Sequence, residues 1–184
     1  VTYNHISFIG DCLQSIVSQE TDFEYEIIVG DDASTDGASD IVREYAELYP
    51  NLINPVIRPG NIGASRNLFD IHNRAQGEFV VHLDGDDLAL PGKLQQQYLH
   101  LMAHPDQVGC GHIVQILDQF GNVTDSHYPR HVQAIYDRAN LILMGMPFAH
   151  SSLMYRRRCR IPREADRDIL DWYIVTDLMR HGPV

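Results

Sequence analysis

The chain has 184 residues, 44% of them hydrophobic, which suits one globular domain with its own core. Its 25 acidic residues outnumber its 14 basic ones and give a formal charge of −11, which argues against nucleic acid as a partner because phosphate backbones are bound by basic surfaces. No apolar run approaches the roughly 20 residues that span a bilayer. The three cysteines lie far apart without CxxC spacing, which favours a reducing cytoplasm over disulfides or a zinc site.

Helical and strand patterns alternate through the first part of the chain. The predicted helices begin near residues 9, 41, 66 and 91, the last with Pro91 at its first position, and the predicted strands cover residues 25–30, 53–58 and 78–83. Such alternation implies a largely parallel sheet with helices on both faces. Beyond His104 the pattern changes to a strand over residues 108–117, a turn at 121–122, a returning strand to 127, and helices near 139–144 and 164–180.

Both ends of the sequence are typical of the interior of a longer chain. Val1-Thr2-Tyr3-Asn4 resembles the end of a strand, and Gly182-Pro183-Val184 follows directly on a helical pattern. We therefore expect residues 1–184 to be a single domain that is truncated at both ends.

Two acidic clusters follow two of the predicted strands. The first acidic cluster covers residues 31–37, Asp-Asp-Ala-Ser-Thr-Asp-Gly, and the second covers residues 84–87, Asp-Gly-Asp-Asp. Ligands of open α/β sheets bind at the carboxyl ends of the strands, so both clusters are expected to face one crevice. Asp, Ser and Gly are also ordinary turn and cap residues, and either cluster alone fits that interpretation equally well.

The second acidic cluster carries the stronger chemical signal. Asp84, Asp86 and Asp87 are carboxylates so close in sequence that they repel one another unless a cation lies between them. Oxygen ligands suit Mg²⁺ or Mn²⁺, and substrate phosphates can complete the coordination. A calcium-binding EF-hand is excluded, because the last ligand position would be Arg43 or Gln95 instead of Glu.

Taken in chain order, several segments resemble the glycosyltransferase family 2, whose members are inverting enzymes with the GT-A fold. They are Thr2-Tyr3-Asn4, Ser15-Ile16-Val17-Ser18-Gln19, Asp31-Asp32-Ala33-Ser34-Thr35-Asp36, Asn61-x-Gly63-x-x-Arg66-Asn67, Gly77-Glu78, and Leu83-Asp84-Gly85-Asp86-Asp87 with Pro91-x-Lys93-Leu94. The resemblance is dense over residues 1–105 and sparser as far as Gly182. It implies a Rossmann-like, three-layer α/β/α sandwich with a mostly parallel central sheet. Residues 1–105 would bind the nucleotide sugar, and residues 106–184 would hold the acceptor side and the base.

The resemblance also implies roles for single residues around the nucleotide. Thr2 and Tyr3 would line its pocket, and Asp32 would hydrogen-bond the base, usually uracil. Arg66 would lie near the nucleotide or its diphosphate. His150 would lie close to the donor sugar, although a histidine that is only structural fits the same position.

For the metal, the resemblance points to the second acidic cluster. Asp86 matches the last residue of the family's Asp-x-Asp motif, which binds Mn²⁺ or Mg²⁺ directly. Asp84 would assist from the sugar and ribose side, and Asp87 would cap a helix or support the ligands.

The general base is assigned by resemblance to the family's Glu-Asp-Trp helix start, which makes Asp171 the candidate. Leu170 stands where the family usually has Glu, and Asp177 where it usually has Arg. Asp166 and Asp168 are neighbouring carboxylates that compete for the role.

These expectations describe a cytoplasmic inverting glycosyltransferase of bacterial cell-surface polysaccharide synthesis, at the inner face of the plasma membrane. It would move a sugar from a nucleoside-diphosphate donor, UDP-linked, to a saccharide or lipid-linked acceptor. The alternative from another class is a non-catalytic nucleotide-sugar-binding module of a larger polysaccharide-assembly protein. The basic run at residues 156–160 fits a phosphorylated or lipid-linked acceptor or a membrane surface, but the solvated end of a surface strand is the favoured interpretation.

Overall fold

The computed structural model of the chain describes residues 1–118, 120–124, 135–146, 148–159 and 171–184. Helices and strands alternate through the first part of the chain, as the sequence predicts. The helices are α1 (Ile9–Val17), α2 (Ala38–Leu48), α3 (Ala64–Arg74), α4 (Lys93–Ala103), α5 (Arg138–Met144) and α6 (Asp171–Leu178). The strands are β1 (Ile27–Asp31), β2 (Ile53–Ile57), β3 (Phe79–Val81), β4 (Gly109–Cys110), β5 (Ile116–Leu117), β6 (Val123–Thr124) and β7 (Met154–Arg156).

The first sheet is the parallel pair of β1 and β2. Ile27 lies opposite Ile53 and Asp31 lies opposite Ile57, with α2 as the crossover between the strands. Pro55 is tolerated in β2 because this strand pairs on one side only within the described residues. Apolar side chains of α1 and α2 pack on the sheet in one core cluster, which contains Ile9, Leu13, Val29, Ala38, Val42 and Ile53.

The second sheet has the order β3-β7-β4, and β7 runs antiparallel to both neighbours. Tyr155 at its centre lies opposite Val80 on one side and Gly109 on the other. A side-chain carbon on Gly109 would lie 2.8 Å from the Met154 carbonyl oxygen, so glycine is required for this close approach. The alternating pattern could not predict β7, because an antiparallel partner needs no helical crossover to announce it.

A larger core cluster joins the two parts of the chain. Leu68 and Phe69 of α3 and Val80 of β3 belong to it, together with Leu153 and Tyr155 from the region of β7. From α6 it includes Ile174, Val175 and Leu178. The hydrophobic face of α3 is therefore covered by residues from the C-terminal part of the chain.

Residues 1–2 lie between the two sheets and hydrogen-bond to both sides. The Thr2 amide donates to the Gly30 carbonyl at 2.9 Å, and the Asp32 amide donates to the Thr2 carbonyl at 3.0 Å. On the other side, the Gly85 amide donates to the Val1 carbonyl at 2.8 Å. Next to this segment, β1, β3 and α1 enclose an apolar cavity of about 370 Å³. Residues 1–2 thus hold the two acidic clusters side by side, at the carboxyl ends of β1 and β3.

Several boundaries differ from those that the sequence predicts, three of them near the second acidic cluster or in the second half of the chain. β3 ends at Val81, although the amide of His82 still donates to the Leu153 carbonyl at 3.2 Å. α4 begins after Gly92, whose φ is 80°, so Pro91 precedes the helix instead of occupying its first position. The predicted strand at residues 108–117 is divided into β4 and β5, and β5 pairs with β6 in the predicted hairpin.

The favoured interpretation of the basic run, a solvated strand end, is wrong for Arg156. Its side chain is buried, and its guanidinium donates to the carbonyls of Leu101 at 2.6 Å, Gln107 at 2.9 Å and His104 at 3.3 Å. It therefore caps the C-terminal end of α4, where carbonyl groups have no helical partner. Arg160 lies outside the described residues. Within the described parts of the chain, no helix has the length and apolar character needed to cross a membrane.

Candidate functional site

Asp31 of the first acidic cluster shapes the loop after β1. It is fully buried as the last residue of that strand, and its carboxylate accepts hydrogen bonds from the hydroxyls of Ser34 and Ser39. Ala33 has a positive φ of 63° in the same turn. A buried carboxylate with two hydroxyl donors is satisfied inside the protein, so Asp31 fixes the loop.

Asp32 joins the first acidic cluster to the loop before α3. Its Oδ1 accepts from the Ile62 amide at 2.8 Å and its Oδ2 from the Gly63 amide at 2.9 Å. The residue is only 2% exposed. A nucleotide base could therefore contact Asp32 only after the loop at residues 61–63 moves.

The other residues predicted for the nucleotide differ in exposure. Thr2 is buried, and a side-chain carbon placed on Gly85 would lie 2.7 Å from its Cβ and Oγ1. Tyr3 is 45% exposed, and Arg66 is exposed in the first turn of α3. The structure thus makes Thr2 a packing link between the two clusters, while the side chains of Tyr3 and Arg66 remain accessible to a ligand.

In the second acidic cluster, Asp84 is held by hydrogen bonds on both carboxylate oxygens. Oδ1 lies 3.1 Å from Nε2 of His82, and Oδ2 lies 3.2 Å from the hydroxyl of Ser151. The same hydroxyl accepts from the Asp84 amide at 3.2 Å. Burial alone would raise the pKa of the Asp84 carboxyl, but the hydrogen bond from His82 and the nearby positive charges, including the N-terminal ammonium, together outweigh it and hold the pKa well below its usual range. Asp84 is therefore ionised at neutral pH.

The side chains of Asp86 and Asp87 are more exposed to solvent than that of Asp84. The Asp86 side chain is 49% exposed, and its Oδ1 lies 4.0 Å from Nδ1 of His5. Asp87 is also exposed, and its amide closes a turn onto the Asp84 carbonyl at 3.1 Å. The predicted capping role of Asp87 is wrong, because α4 begins six residues later and has no side-chain cap.

The donor chemistry of this cluster fits a hard divalent cation. Asp84 and Asp86 offer ionisable carboxylates, the ligands that Mg²⁺ and Mn²⁺ prefer. Among the described residues, no group of three or more His, Cys, Asp or Glu side chains is placed to hold a metal on its own. An ion bound here would therefore take further ligands from a substrate, as phosphate oxygens allow.

His150 lies behind Asp84, packed in the interior. It is 6% exposed, and its ring stacks on that of His82 with centroids 4.1 Å apart. Burial, with His82 beside it, lowers the pKa of His150 to about 3, so the imidazole is neutral. The packing fits the structural interpretation of this histidine, and its predicted contact with a donor sugar stays a prediction.

A sequence profile of glycosyl transferase family 2 matches residues 1–159, which include both acidic clusters and His150. The chain belongs to glycosyl transferase family 2.

Three similar proteins illustrate this membership. The putative teichuronic acid biosynthesis glycosyltransferase TuaG of Bacillus subtilis is 35% identical over 101 residues, which are 55% of this chain and 39% of that protein. S. aureus TarS, solved with UDP-GlcNAc, is 25% identical with a TM-score of 0.63, over 86% of this chain and 44% of that one. The mannosyltransferase PcManGT of Pyrobaculum calidifontis was solved with GDP-Man and Mn²⁺. It is 31% identical with a TM-score of 0.54, over 62% of this chain and 34% of that one.

The structural likenesses confirm the GT-A fold that the resemblance implies. The chain spans about half the length of the curated relatives that it matches over most of its own length.

Sequence reasoning missed several residues that shape this family 2 site. His82 and Ser151 orient Asp84, and the ammonium of Lys93 donates to the Ser151 carbonyl. Burial lowers the pKa of Lys93 to about 8. Lys93 lies in the family-like segment with Pro91 and Leu94, and Ser151 lies beside His150 in a segment that also resembles the family. The contact of Ser151 with Asp84 had no signal, because the two residues are far apart in sequence.

The predicted general base is not placed by the structure. Asp171 is the first residue of α6, but its side chain lies outside the part of the chain that the structure describes. The competing carboxylates Asp166 and Asp168 lie outside the described residues as well, as does Leu170. Asp177 pairs with Arg180 of the same helix at 3.0 Å.

Proposed function

We propose that this chain forms the donor-binding and catalytic part of an inverting glycosyltransferase, which moves a sugar from a nucleoside diphosphate to an acceptor hydroxyl. The observation that carries the proposal is the pairing of residues 1–2 with both acidic clusters, through hydrogen bonds of 2.8–3.0 Å. This pairing sets the exposed Tyr3 and Asp86 beside the buried Asp32 and the half-buried, hydrogen-bonded Asp84. A nucleotide and a cation-bound diphosphate need such neighbouring aromatic and acidic groups.

The proposed donor is a UDP-linked hexose or related sugar. TarS, to which this chain is 25% identical, was solved with UDP-GlcNAc. The exposed ring of Tyr3 offers the base an aromatic face, and Arg66 offers the diphosphate a positive charge. Asp32 would accept a hydrogen bond from the base once the loop at residues 61–63 has moved.

Mn²⁺ or Mg²⁺ is the proposed cofactor, with Asp86 as direct ligand and Asp84 as its helper. PcManGT, 31% identical to this chain, was solved with GDP-Man and Mn²⁺. When bound, such an ion supplies Lewis acidity and a template for the departing diphosphate. Asp84 contributes an ionised carboxylate whose orientation is fixed by His82 and Ser151.

The proposed reaction is a single displacement at the anomeric carbon of the donor. The acceptor oxygen bonds to that carbon while the bond to the diphosphate oxygen breaks, and the electron pair leaves with the nucleoside diphosphate. The acceptor proton passes to a carboxylate, for which Asp171 is the candidate. Such general-base help accelerates reactions by roughly 10²–10⁴-fold.

For the acceptor we propose a saccharide or lipid-linked saccharide of a bacterial surface polymer, elongated on the cytoplasmic side of the membrane. TuaG, which is 35% identical over 101 residues, is named as a putative glycosyltransferase of teichuronic acid biosynthesis. Cys12, Cys110 and Cys159 are free and buried thiols, which suits a reducing compartment.

The first arm of the test measures donor binding by thermal unfolding of the full-length protein. UDP with Mn²⁺ is expected to raise the Tm, and the substitution Asp86→Ala is expected to abolish the rise. Asp40→Ala removes an exposed carboxylate of α2 that pairs with Arg43, so it should keep the full rise. A wild-type protein that UDP and Mn²⁺ leave unchanged would contradict the proposal.

The second arm measures sugar transfer and donor hydrolysis. Asp171→Asn is expected to lower turnover by about 100-fold or more while keeping the UDP–Mn²⁺ shift, because it removes the base and not a donor contact. Asp166→Asn and Asp168→Asn are the matched controls and should keep turnover. Near-normal turnover in Asp171→Asn would refute its role, and full donor binding without transfer or hydrolysis would favour the non-catalytic module.

A further inference from the structure

A row of hydrogen-bonded side chains leads from the core to the second acidic cluster. The Tyr155 hydroxyl lies 2.8 Å from Nδ1 of His72, and Nε2 of His72 lies 3.1 Å from Nδ1 of His82. Nε2 of His82 lies 3.1 Å from Oδ1 of Asp84. The three side chains behind Asp84 come from β7, from α3 and from the residue after β3, so the row exists only in the folded chain.

These groups occupy positions where apolar residues would be expected. His72 is 5% exposed, His82 is 3% exposed and Tyr155 is fully buried. His72 lies on the same buried face of α3 as Leu68 and Phe69. Polar rings in such a place are unfavourable unless they are hydrogen-bonded, so their presence needs a reason beyond the filling of space.

The carboxylate of Asp84 at the end of the row gives the row a direction. An ionised carboxylate only accepts, so His82 must donate its Nε2–H to Asp84. Burial, with His82 and His150 nearby, lowers the pKa of His72 well below its usual value, which makes that ring neutral. Nδ1 of His82 can then accept from the Nε2–H of His72, and His72 can accept at Nδ1 from the Tyr155 hydroxyl. This arrangement satisfies all three bonds with a single proton on the His72 ring.

We propose that Tyr155, His72 and His82 form a positioning relay, which fixes the orientation of the Asp84 carboxylate for the cation and the nucleotide sugar. The proposal rests on the proposed function of Asp84. The relay holds Oδ1, while the hydroxyl of Ser151 holds Oδ2 at 3.2 Å. With both oxygens held, the carboxylate cannot rotate, and its remaining lone pairs keep a constant direction. The stacking of His150 on His82 keeps the plane of the last ring in place.

The three residues are positioning residues, because they act through Asp84 and not on the substrate. Partners behind metal-binding groups commonly change metal affinity or activity by roughly 10–100-fold when they are removed. A purely structural role would instead change the stability of the fold and leave the affinity of correctly folded protein unaltered. This difference is what an experiment can measure.

The first measurement is the tautomeric state of the histidines in the full-length protein without ligands. Long-range ¹H–¹⁵N NMR of ¹⁵N-histidine-labelled protein should show His72 as a neutral ring protonated at Nε2 and should show a proton on Nε2 of His82. Tyr155→Phe removes only one hydroxyl and should convert His72 to a mixture of tautomers. A ring protonated at Nδ1 alone, at either histidine of the wild type, would overturn the proposal.

The second measurement is the Kd of UDP in the presence of Mn²⁺. His82→Leu should weaken binding about tenfold or more, because it removes the donor to Asp84. His82→Gln places an amide N–H near the position of Nε2 and should restore affinity to within about threefold of wild type. Equal affinity in wild type, His82→Leu and Tyr155→Phe would refute the relay.

Matched variants separate the relay from general damage. Tyr136→Phe alters another buried tyrosine, and His104→Gln alters an exposed histidine; both should bind UDP like wild type. If His82→Leu fails to fold, Tyr155→Phe tests the relay instead. Its Kd for UDP is expected to be several-fold higher than that of the wild type. If the wild type does not bind UDP with Mn²⁺, the proposed function is refuted. The hydrogen-bonded row is still tested in that case, because the tautomers of His72 and His82 are measured without ligand.

Discussion

At the scale of residues, carboxylates that look equivalent in the sequence have different roles in the site. Asp31 is fully buried and Asp32 is 2% exposed, and both are occupied by hydrogen bonds within the protein. The Asp86 side chain is 49% exposed and has only His5 within 4.0 Å as an ion-pair partner among the described residues. The first acidic cluster therefore builds the crevice, and the second supplies the groups that a ligand can reach.

Gly85 offers a test of how closely the two clusters must approach. A side-chain carbon there would lie 2.7 Å from the Thr2 side chain and 3.1 Å from the Val1 carbonyl oxygen. Gly85→Ala is therefore expected to push residues 1–2 away and to destabilise the fold by about 1–3 kcal/mol, as overpacking does. Since small misplacements weaken binding steeply, the Kd of UDP with Mn²⁺ should rise about tenfold or more. Urea unfolding and isothermal titration calorimetry measure the two effects.

Gly60→Ala is the matched control for this prediction. A side-chain carbon on Gly60 meets no atom within 4 Å, and its backbone does not need a positive φ. The control should leave both stability and UDP affinity within error of wild type. An unchanged affinity in Gly85→Ala would mean that the close contact between residues 1–2 and the second cluster does not matter for binding.

The sequence could predict the acidic residues of the site but not the groups that orient them. Asp84 and Asp86 stand out because of their spacing and because they follow a strand. His72 and Tyr155 carry no such signal, since 83 residues separate them and neither belongs to a local motif. Their contact arises only from the packing of α3 against β7, which a one-dimensional pattern does not encode.

At the scale of elements, the sequence pattern located α1 to α4 and β1 to β3, because helices and strands differ in the repeat of their apolar residues. The predicted strand at residues 53–58 and β2 at Ile53–Ile57 agree almost completely. Periodicity did not locate β7, and the strand end expected at Arg156 was placed on the surface, because Met154, Tyr155 and Arg156 are all buried and show no alternation, and one of them is charged. The charge of Arg156 predicts a position on the surface. In the fold, its guanidinium instead donates hydrogen bonds to carbonyl groups at the C-terminal end of α4.

This role of Arg156 leads to a prediction at the level of α4. Arg156→Met keeps much of the side-chain volume but removes the guanidinium that donates to the carbonyls of Leu101 and Gln107. Loss of charged hydrogen bonds in the interior is expected to lower the free energy of unfolding by about 3 kcal/mol. Urea denaturation followed by circular dichroism measures this change.

Arg158→Met is the control, because Arg158 is exposed and, among the described residues, donates only to the Pro105 carbonyl, at 3.5 Å. Its expected effect is within about 0.5 kcal/mol of zero, as for most surface substitutions. A similar loss of stability in both variants would show that the net charge of the basic run, and not the cap on α4, is what stabilises the fold.

At the scale of the whole molecule, buried neutral histidines tie the stability of the fold to pH. The pKa of His150 is lowered from 6.5 to about 3, and that of His72 is lowered well below 6.5, chiefly by burial. Below pH 6.5 the unfolded chain therefore binds protons at these two positions that the folded chain does not. Because stability rises with pH wherever the unfolded state binds more protons, the free energy of unfolding must fall as the pH drops below 6.5.

The carboxyl of Asp84 affects the free energy of unfolding in a different pH range. Its pKa is lowered from 3.8, so the stability that it contributes is complete above that value and is lost only as the pH falls further. Between pH 6.5 and 4, the loss of stability is thus expected to come from the histidines. At pH 5 the neutral ring of His150 alone should lower the free energy of unfolding by about 2 kcal/mol relative to pH 7, and His72 should act in the same direction.

His150→Phe isolates one share of this effect, because it keeps an aromatic ring against His82 but cannot take up a proton. Urea unfolding at pH 7 and pH 5 should show a difference between the two conditions that is about 2 kcal/mol smaller in His150→Phe than in the wild type. His104→Gln removes an exposed histidine and should keep the wild-type difference. Comparing each variant with itself at two pH values cancels any packing defect of the substitution. If His150→Phe kept the full wild-type difference, the acid sensitivity would belong to other groups, and His150 would not be held neutral in the core.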